Sequence, residues 1–212
     1  MTGHHAWPHV FEPGSTDAPV LLLLHGTGGS ESDLLPLAAR LAPQAGVLSP
    51  RGPVQEHGSN RWFRRFGEGV FDVDDVIRRA GELAAFLAWA REAYGIGGRE
   101  VIAVGFSNGA NIGLAAAILH PEALDGVVAF SGMYPLEGHT VDADLSAADV
   151  ALFNGDADPM APPASVEQLA AVLESRGARL TRSMRPGGHG VHPSDITGAA
   201  SWLADRSRRV SS

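Results

Sequence analysis

Along most of the chain, short unbroken apolar runs alternate with longer stretches in which apolar residues recur every three or four positions. The strand candidates are 20–25, 46–50, 100–105, 125–130, 150–154 and 178–184. Continuous apolar character over so few residues predicts strands buried on both faces. Helical spacing marks 32–42, 73–94, 107–120, 163–176 and 194–206, with Ser32-Asp33 and Ser194-Asp195 placed to open two of these helices. The alternation predicts an α/β fold, a mostly parallel central sheet with helices on both faces. Two stretches interrupt it, 51–72 ("RGPVQEHGSNRWFRRFGEGVFD") and 131–149 ("SGMYPLEGHTVDADLSAAD"). Loops of that length inside a compact domain tend to carry function.

Length and composition narrow the picture. With 212 residues the chain is long enough for one sizeable core, so 1–212 reads as a single domain. A net charge of −8, with 44% hydrophobic and 19% charged residues, describes a globular protein and argues against nucleic acid as a partner. All 16 basic residues are arginine, scattered rather than gathered into a block. The absence of cysteine excludes disulfides, thiolate metal sites and a cysteine nucleophile. The start of the chain shows no basic leader before an apolar stretch, and "VLLLL" is too short to cross a bilayer, so a cytoplasmic protein without membrane insertion is expected. His4, His5 and His9 sit among turn formers with no acidic or cysteine partner nearby and read as a frayed or edge segment, not a metal site.

The chemistry gathers at predicted strand ends. Gly105-Phe106-Ser107-Asn108-Gly109 has the form G-x-S-x-G, which a chain with 26 glycines produces by chance about 0.2 times, so the spacing alone is weak. Its context is stronger, because an apolar β-branched run precedes it and a helical pattern follows. Ser107 therefore falls on a strand-to-helix corner, where a nucleophilic serine would project above the sheet at a helix N-terminus. The competing reading is a serine that only caps the helix. A serine nucleophile needs a histidine base and a carboxylate to orient it. "NGDADPMAP" offers Asp158, favoured over Asp156 because Pro159 fixes its exit from the turn, while Asp156 can bond loop backbone. "GGHGVHP" offers His189, favoured over His192 because glycines bracket it, whereas His192 stands at a helix entrance. Both groups follow strands that end on the same sheet edge as Ser107. The glycine-rich loop of "LLLLHGTGG" can turn backbone amides toward the serine, so Thr27 N–H and Asn108 N–H are the candidate oxyanion donors, with His25 and Gly26 shaping the loop. No dinucleotide or P-loop spacing can be read there, and the chain has no lysine. His57, His120 and His139 have no comparable placement.

Taken in order, "LLHGTGG", "SPRGP", "RWF", "GFSNGANI", "NGDADPMAP" and "GGHGVHP" make the chain resemble the phospholipase/carboxylesterase family of α/β-hydrolases, over roughly residues 18–205. The resemblance implies an α/β-hydrolase fold with Ser107 as nucleophile, Asp158 as acid and His189 as base. It also implies an oxyanion hole from Thr27 and Asn108, no metal or other cofactor, and a homodimer. The 131–149 loop is too short for a large cap. Asparagine after the serine and threonine after His-Gly depart from the acyl-protein thioesterase branch and bring the chain nearer to bacterial carboxylesterases. A serine carboxylesterase for small esters is the expected activity, with thioesters or lysophospholipids as the alternative substrates. A small-ligand-binding protein on a hydrolase scaffold is the competing class. Trp62 and Phe63, in the long loop, are expected to wall the substrate pocket together with His25 and Gly26. Met160, Phe66 and Phe71 are expected in the core or at the pocket rim, and Arg64 and Arg65 either touch an acidic group of the substrate or, as the preferred reading, are simply solvated.

Overall fold

A computed structural model describes residues 7–210. Seven strands form the central sheet: β1 (His9–Glu12), β2 (Val20–Leu24), β3 (Gly46–Pro50), β8 (Val101–Phe106), β9 (Gly126–Phe130), β10 (Asp149–Gly155) and β11 (Arg179–Arg185). Their order is β1-β3-β2-β8-β9-β10-β11, all parallel except β1, which pairs antiparallel with β3. The remaining strands, β4 (Val54–Glu56), β5 (Ser59–Arg61), β6 (Arg65–Gly67) and β7 (Val70–Phe71), make two small hairpins within the stretch expected to be irregular. Five helices complete the fold: α1 (Leu35–Leu41), α2 (Val73–Ala93), α3 (Asn108–Leu119), α4 (Pro163–Ser175) and α5 (Pro193–Val210). This is the α/β-hydrolase arrangement. Residues 131–148 contain no helix or strand, and among the described residues no cap domain is evident.

The apolar runs make sense as strands because alternate side chains leave the sheet on opposite faces. Val20, Leu22 and Leu24 of β2 join the layer built with α2, α3 and α4, while Leu21 and Leu23 join the layer built with α1 and α5. Val101 and Ala103 against Ile102 and Val104 divide in the same way. The last strand departs from that expectation. β11 lies at the sheet edge, and most of "RLTRSMR" faces solvent, so only its pairing with β10 and a few contacts hold it. Charged side chains on an edge strand also discourage pairing with another chain.

Helix α3 is buried along almost its whole length, between the sheet and α2, which is why its sequence is apolar all round. Its start is pressed against β2: a methyl group added at Gly109 would lie 1.9 Å from the carbonyl oxygen of Leu24. α1 begins later than expected. Leu34 precedes it and no side chain caps it, Ser30 instead bonding Asp33. At α5 the Asp195 carboxylate reaches back to the N–H of His192 at 2.9 Å, closing the helix entrance. Among the described residues, no helix is long and apolar enough to cross a membrane.

The Gly109 contact yields a stability prediction. Gly109→Ala should lower the free energy of unfolding by about 2 kcal/mol or more, since the clash is with backbone that cannot rotate away. Urea unfolding measures it; an alanine variant as stable as the parent would mean that α3 can move off β2.

Candidate active site

Ser107 joins β8 to α3 with φ 54° and ψ −117°, a conformation that residues with a side chain rarely adopt. Backbone bonds hold it there: Ser107 N–H donates to Phe130 O at 2.9 Å, and Asn111 N–H donates to Ser107 O at 3.0 Å. The serine stands in the N-cap position, yet its side chain makes no capping bond. Ser107 lines a cleft at the C-terminal edge of the sheet.

Asp158 and His189 are brought together from the ends of β10 and β11. Asp158 is buried, and its Oδ2 lies 2.8 Å from His189 Nδ1. The other oxygen, Oδ1, accepts from Met160 N–H at 2.8 Å and Ala161 N–H at 3.2 Å, so the carboxylate is held by the turn that Pro159 begins. With Nδ1–H donating to the carboxylate, Nε2 carries the free lone pair. The His189 ring lies 5.1 Å from that of Phe106, centroid to centroid, beside the residue preceding Ser107. The unselected members of each pair do other work. Asp156 accepts from Gly187 N–H at 3.0 Å and so ties its loop to the histidine loop. His192 stands at the entrance to α5 and bonds Ser194 Oγ at 3.0 Å.

After β2 the chain turns through Gly26-Thr27-Gly28-Gly29, and Thr27 and Asn108 line the cleft beside Ser107. The segment 52–63 clamps this loop. Gly52 N–H donates to His25 Nε2 at 2.9 Å, Gly28 N–H donates to Asn60 O at 2.8 Å, and Asn60 Nδ2 donates to Gly29 O at 2.7 Å. Trp62 Nε1 donates to His25 O, and Trp62 N–H donates to Asn108 Oδ1, both at 2.8 Å. One tryptophan therefore bridges the glycine-rich loop and the serine corner. His25 is buried and donates through Nδ1 to Gly26 O at 2.7 Å; desolvation pushes its pKa below the ordinary value, outweighing the bond to Gly26 and the charges of Asp33 and Glu31.

The pocket residues expected from the sequence need correction. Trp62 and Phe63 are 1% and 0% exposed, packed into the core, and do not line the cleft. His25 and Gly26 do not line it either, the histidine being occupied with the loop's own backbone. Met160 and Phe71 do line it, and Phe66 is neither core nor rim but largely exposed on the β6–β7 hairpin. Arg64 pairs with Asp72 at 2.8 Å, its head in solvent, while Arg65 lines the cleft. Arg61, not singled out in the sequence, is buried at the cleft wall and donates through Nη1 to Thr27 Oγ1 at 2.9 Å. No sequence signal separates a buried arginine from the exposed ones beside it in "RWFRRF". His4 and His5 lie outside the described residues. His9 belongs to β1 and bonds Trp7 O and Tyr94 Oη. His57 lies in the β4–β5 turn, His120 ends α3, and His139 lies in the 131–148 loop.

Residues 5–205 match the model of the phospholipase/carboxylesterase family, and the chain belongs to that family of hydrolases. It is similar to the putative hydrolase MhqD of Bacillus subtilis, with 38% identity over 197 residues, covering 93% of this chain and 98% of that one. Among solved structures, a Bacillus cereus carboxylesterase is 40% identical with a TM-score of 0.89, covering 95% of each chain. YahD, solved with malic acid, is 30% identical with a TM-score of 0.87, covering 94% of this chain and 98% of its own.

Two predictions concern the site's frame. Ser107→Gly should be more stable than Ser107→Ala by about 1 kcal/mol or more, because glycine adopts the corner conformation freely; equal stabilities in urea would mean that the corner is unstrained. For His25, folded and unfolded states are both neutral above pH 6.5, its ordinary value. Below that pH the unfolded chain takes up a proton that the folded one resists, so stability falls with pH, by at most about 1.4 kcal/mol per unit. His25→Asn should lose less stability than the parent between pH 7 and pH 5; identical losses in urea unfolding would remove His25 as the cause.

Proposed function

We propose that the chain is a serine carboxylesterase that hydrolyses small esters through an acyl-enzyme on Ser107. The observation that carries this reading is the Asp158–His189 bond of 2.8 Å on the sheet edge where Ser107 stands in its strained corner. Ser107 Oγ attacks the ester carbonyl while His189 Nε2 takes its proton, and the buried Asp158 carboxylate stabilises the resulting imidazolium. Negative charge on the carbonyl oxygen is met by Thr27 N–H and Asn108 N–H, at the positive end of α3. The proton passes from His189 to the departing alkoxide, and the alcohol leaves. Water then attacks the acyl-enzyme with His189 again as base, releasing the acid and restoring Ser107. None of these steps asks for a metal or other cofactor.

The polar side chains that make up most of the cleft's lining suit small esters better than lipid chains. The space open beside Ser107 is about 30 Å³. A long acyl chain would need an apolar channel there, so activity on lysophospholipids or lipidated proteins is not part of this reading. The bacterial carboxylesterase relative and the malic acid in YahD accord with a small-ester site.

Short-chain aryl esters test the proposal. Ser107→Ala should lower turnover at least about a thousandfold, and a fluorophosphonate probe should label the parent on Ser107 alone. Undiminished turnover in the alanine variant would remove the nucleophile. A folded parent that neither turns over esters nor labels would favour the ligand-binding class.

A further inference from the structure

Two guanidinium groups stand in the cleft wall beside Ser107, and the mechanism above uses neither. Arg61 is 2% exposed, and Arg65 belongs to the β6–β7 hairpin. One carboxylate oxygen, Glu56 Oε2, lies behind both, 3.3 Å from Arg61 Nε and 3.5 Å from Arg65 Nε. Their outer ends meet groups that themselves line the cleft: Arg61 Nη1 donates to Thr27 Oγ1 at 2.9 Å, and Arg65 Nη1 to Glu68 Oε2 at 2.7 Å. Glu68 differs from Glu56 in kind. Its side chain is 59% exposed, and it sits at the hairpin turn between Gly67 and Gly69.

A guanidinium at a cleft wall is suited to a carboxylate, which it can bind through two parallel N–H bonds. Held against Arg65 by an exposed ion pair of small net strength, Glu68 can be exchanged for another carboxylate at little cost. Resting on the esterase reading, we propose that Arg65, backed by Arg61, selects esters that carry a carboxylate a few atoms from the scissile carbonyl, and that Glu68 fills that place when no substrate is bound. The narrowness of the cleft then has a cause, since the side chain of Glu68 occupies part of the space that the substrate acid takes. Removing Glu68 from Arg65 opens the cleft and exposes the cation together.

The test pairs charged and neutral esters of one shape. Monoethyl succinate places the carboxylate on the acyl side and is matched by ethyl 4-methylpentanoate; acetoxyacetate places it on the alcohol side and is matched by isobutyl acetate. The parent should favour at least one charged ester over its match by tenfold or more in kcat/KM. Arg65→Gln should abolish that preference by raising KM for the charged ester at least tenfold more than for its neutral match, whereas Glu68→Gln should lower KM for the charged ester several-fold more than for the neutral one. Calorimetric titration of the parent and both variants with succinate reads the same site without turnover. Binding should weaken at least tenfold in Arg65→Gln and tighten in Glu68→Gln. Hydrolysis of all four esters without a charge preference, or an equal fall for both kinds in Arg65→Gln, overturns this inference and leaves the esterase reading standing. Succinate binding that depends on Arg65 in a protein that cleaves no ester keeps the carboxylate site and overturns the esterase reading; neither binding nor cleavage overturns both.

Discussion

The start of helix α3 and the end of strand β2 approach more closely than any side chain would permit, and the arrangement of the sheet edge depends on that approach. Gly109 lies against the carbonyls of Leu24 and His25, and Gly105 against the backbone of Ala110. With both positions free of a Cβ, the strand-to-helix turn can be made within a single residue. That residue is Ser107, and its φ of 54° is the geometric consequence. A looser turn would lower the strain, but it would also draw the hydroxyl away from the edge where β10 and β11 deliver Asp158 and His189.

The same approach sets the glycine-rich loop. Because β2 ends against α3, the chain leaving it at His25 must pass directly beside Asn108, and Thr27 reaches the cleft that Ser107 lines. Nothing in that loop is regular structure, so its backbone groups need partners from elsewhere. Residues 52–63 supply them through Asn60 and Trp62, Gly52 N–H holds the His25 ring, and the Asn108 side chain accepts from Trp62 N–H. The long segment after β3 is thus a scaffold for the loop on its inner side and, through Arg61 and Arg65, a wall of the cleft on its outer side.

This double use explains what the sequence made legible and what it hid. Five of the six main strands stand out in the sequence because a parallel sheet buried on both faces demands apolar runs, while β11, at the edge with most of its side chains in solvent, does not owe its place to such a run; the corner, aspartate and histidine loops follow from where the strands end. β1 and the two hairpins were not foreseen, since "HVFE" and the Arg- and Gly-rich stretch 54–71 lack a clean alternation. Trp62 and Phe63 were misplaced for a related reason. In a loop of unknown path, large apolar side chains read equally as pocket wall or core, and only the clamp on His25 O and Asn108 shows that they face inward. Arg61 was hidden more deeply, because its burial rests on partners such as Thr27 and Glu56 that are far away or unremarkable in sequence.

Two unfavourable features stand where the chemistry is proposed. Ser107 is held at positive φ, and one residue later the buried Asn108 Nδ2 has no hydrogen-bond partner while its Oδ1 serves Trp62. Each of these costs on the order of 1–3 kcal/mol. Neither can relax alone, because α3 is locked by Ile112, Leu114 and Ile118, all fully buried in the core it shares with the sheet and α2. Burying such side chains contributes about 1.5–3 kcal/mol apiece, enough to hold a strained corner in place. The apolar length of α3 therefore stabilises the fold and also keeps Ser107 in a conformation that its own first turn would not choose.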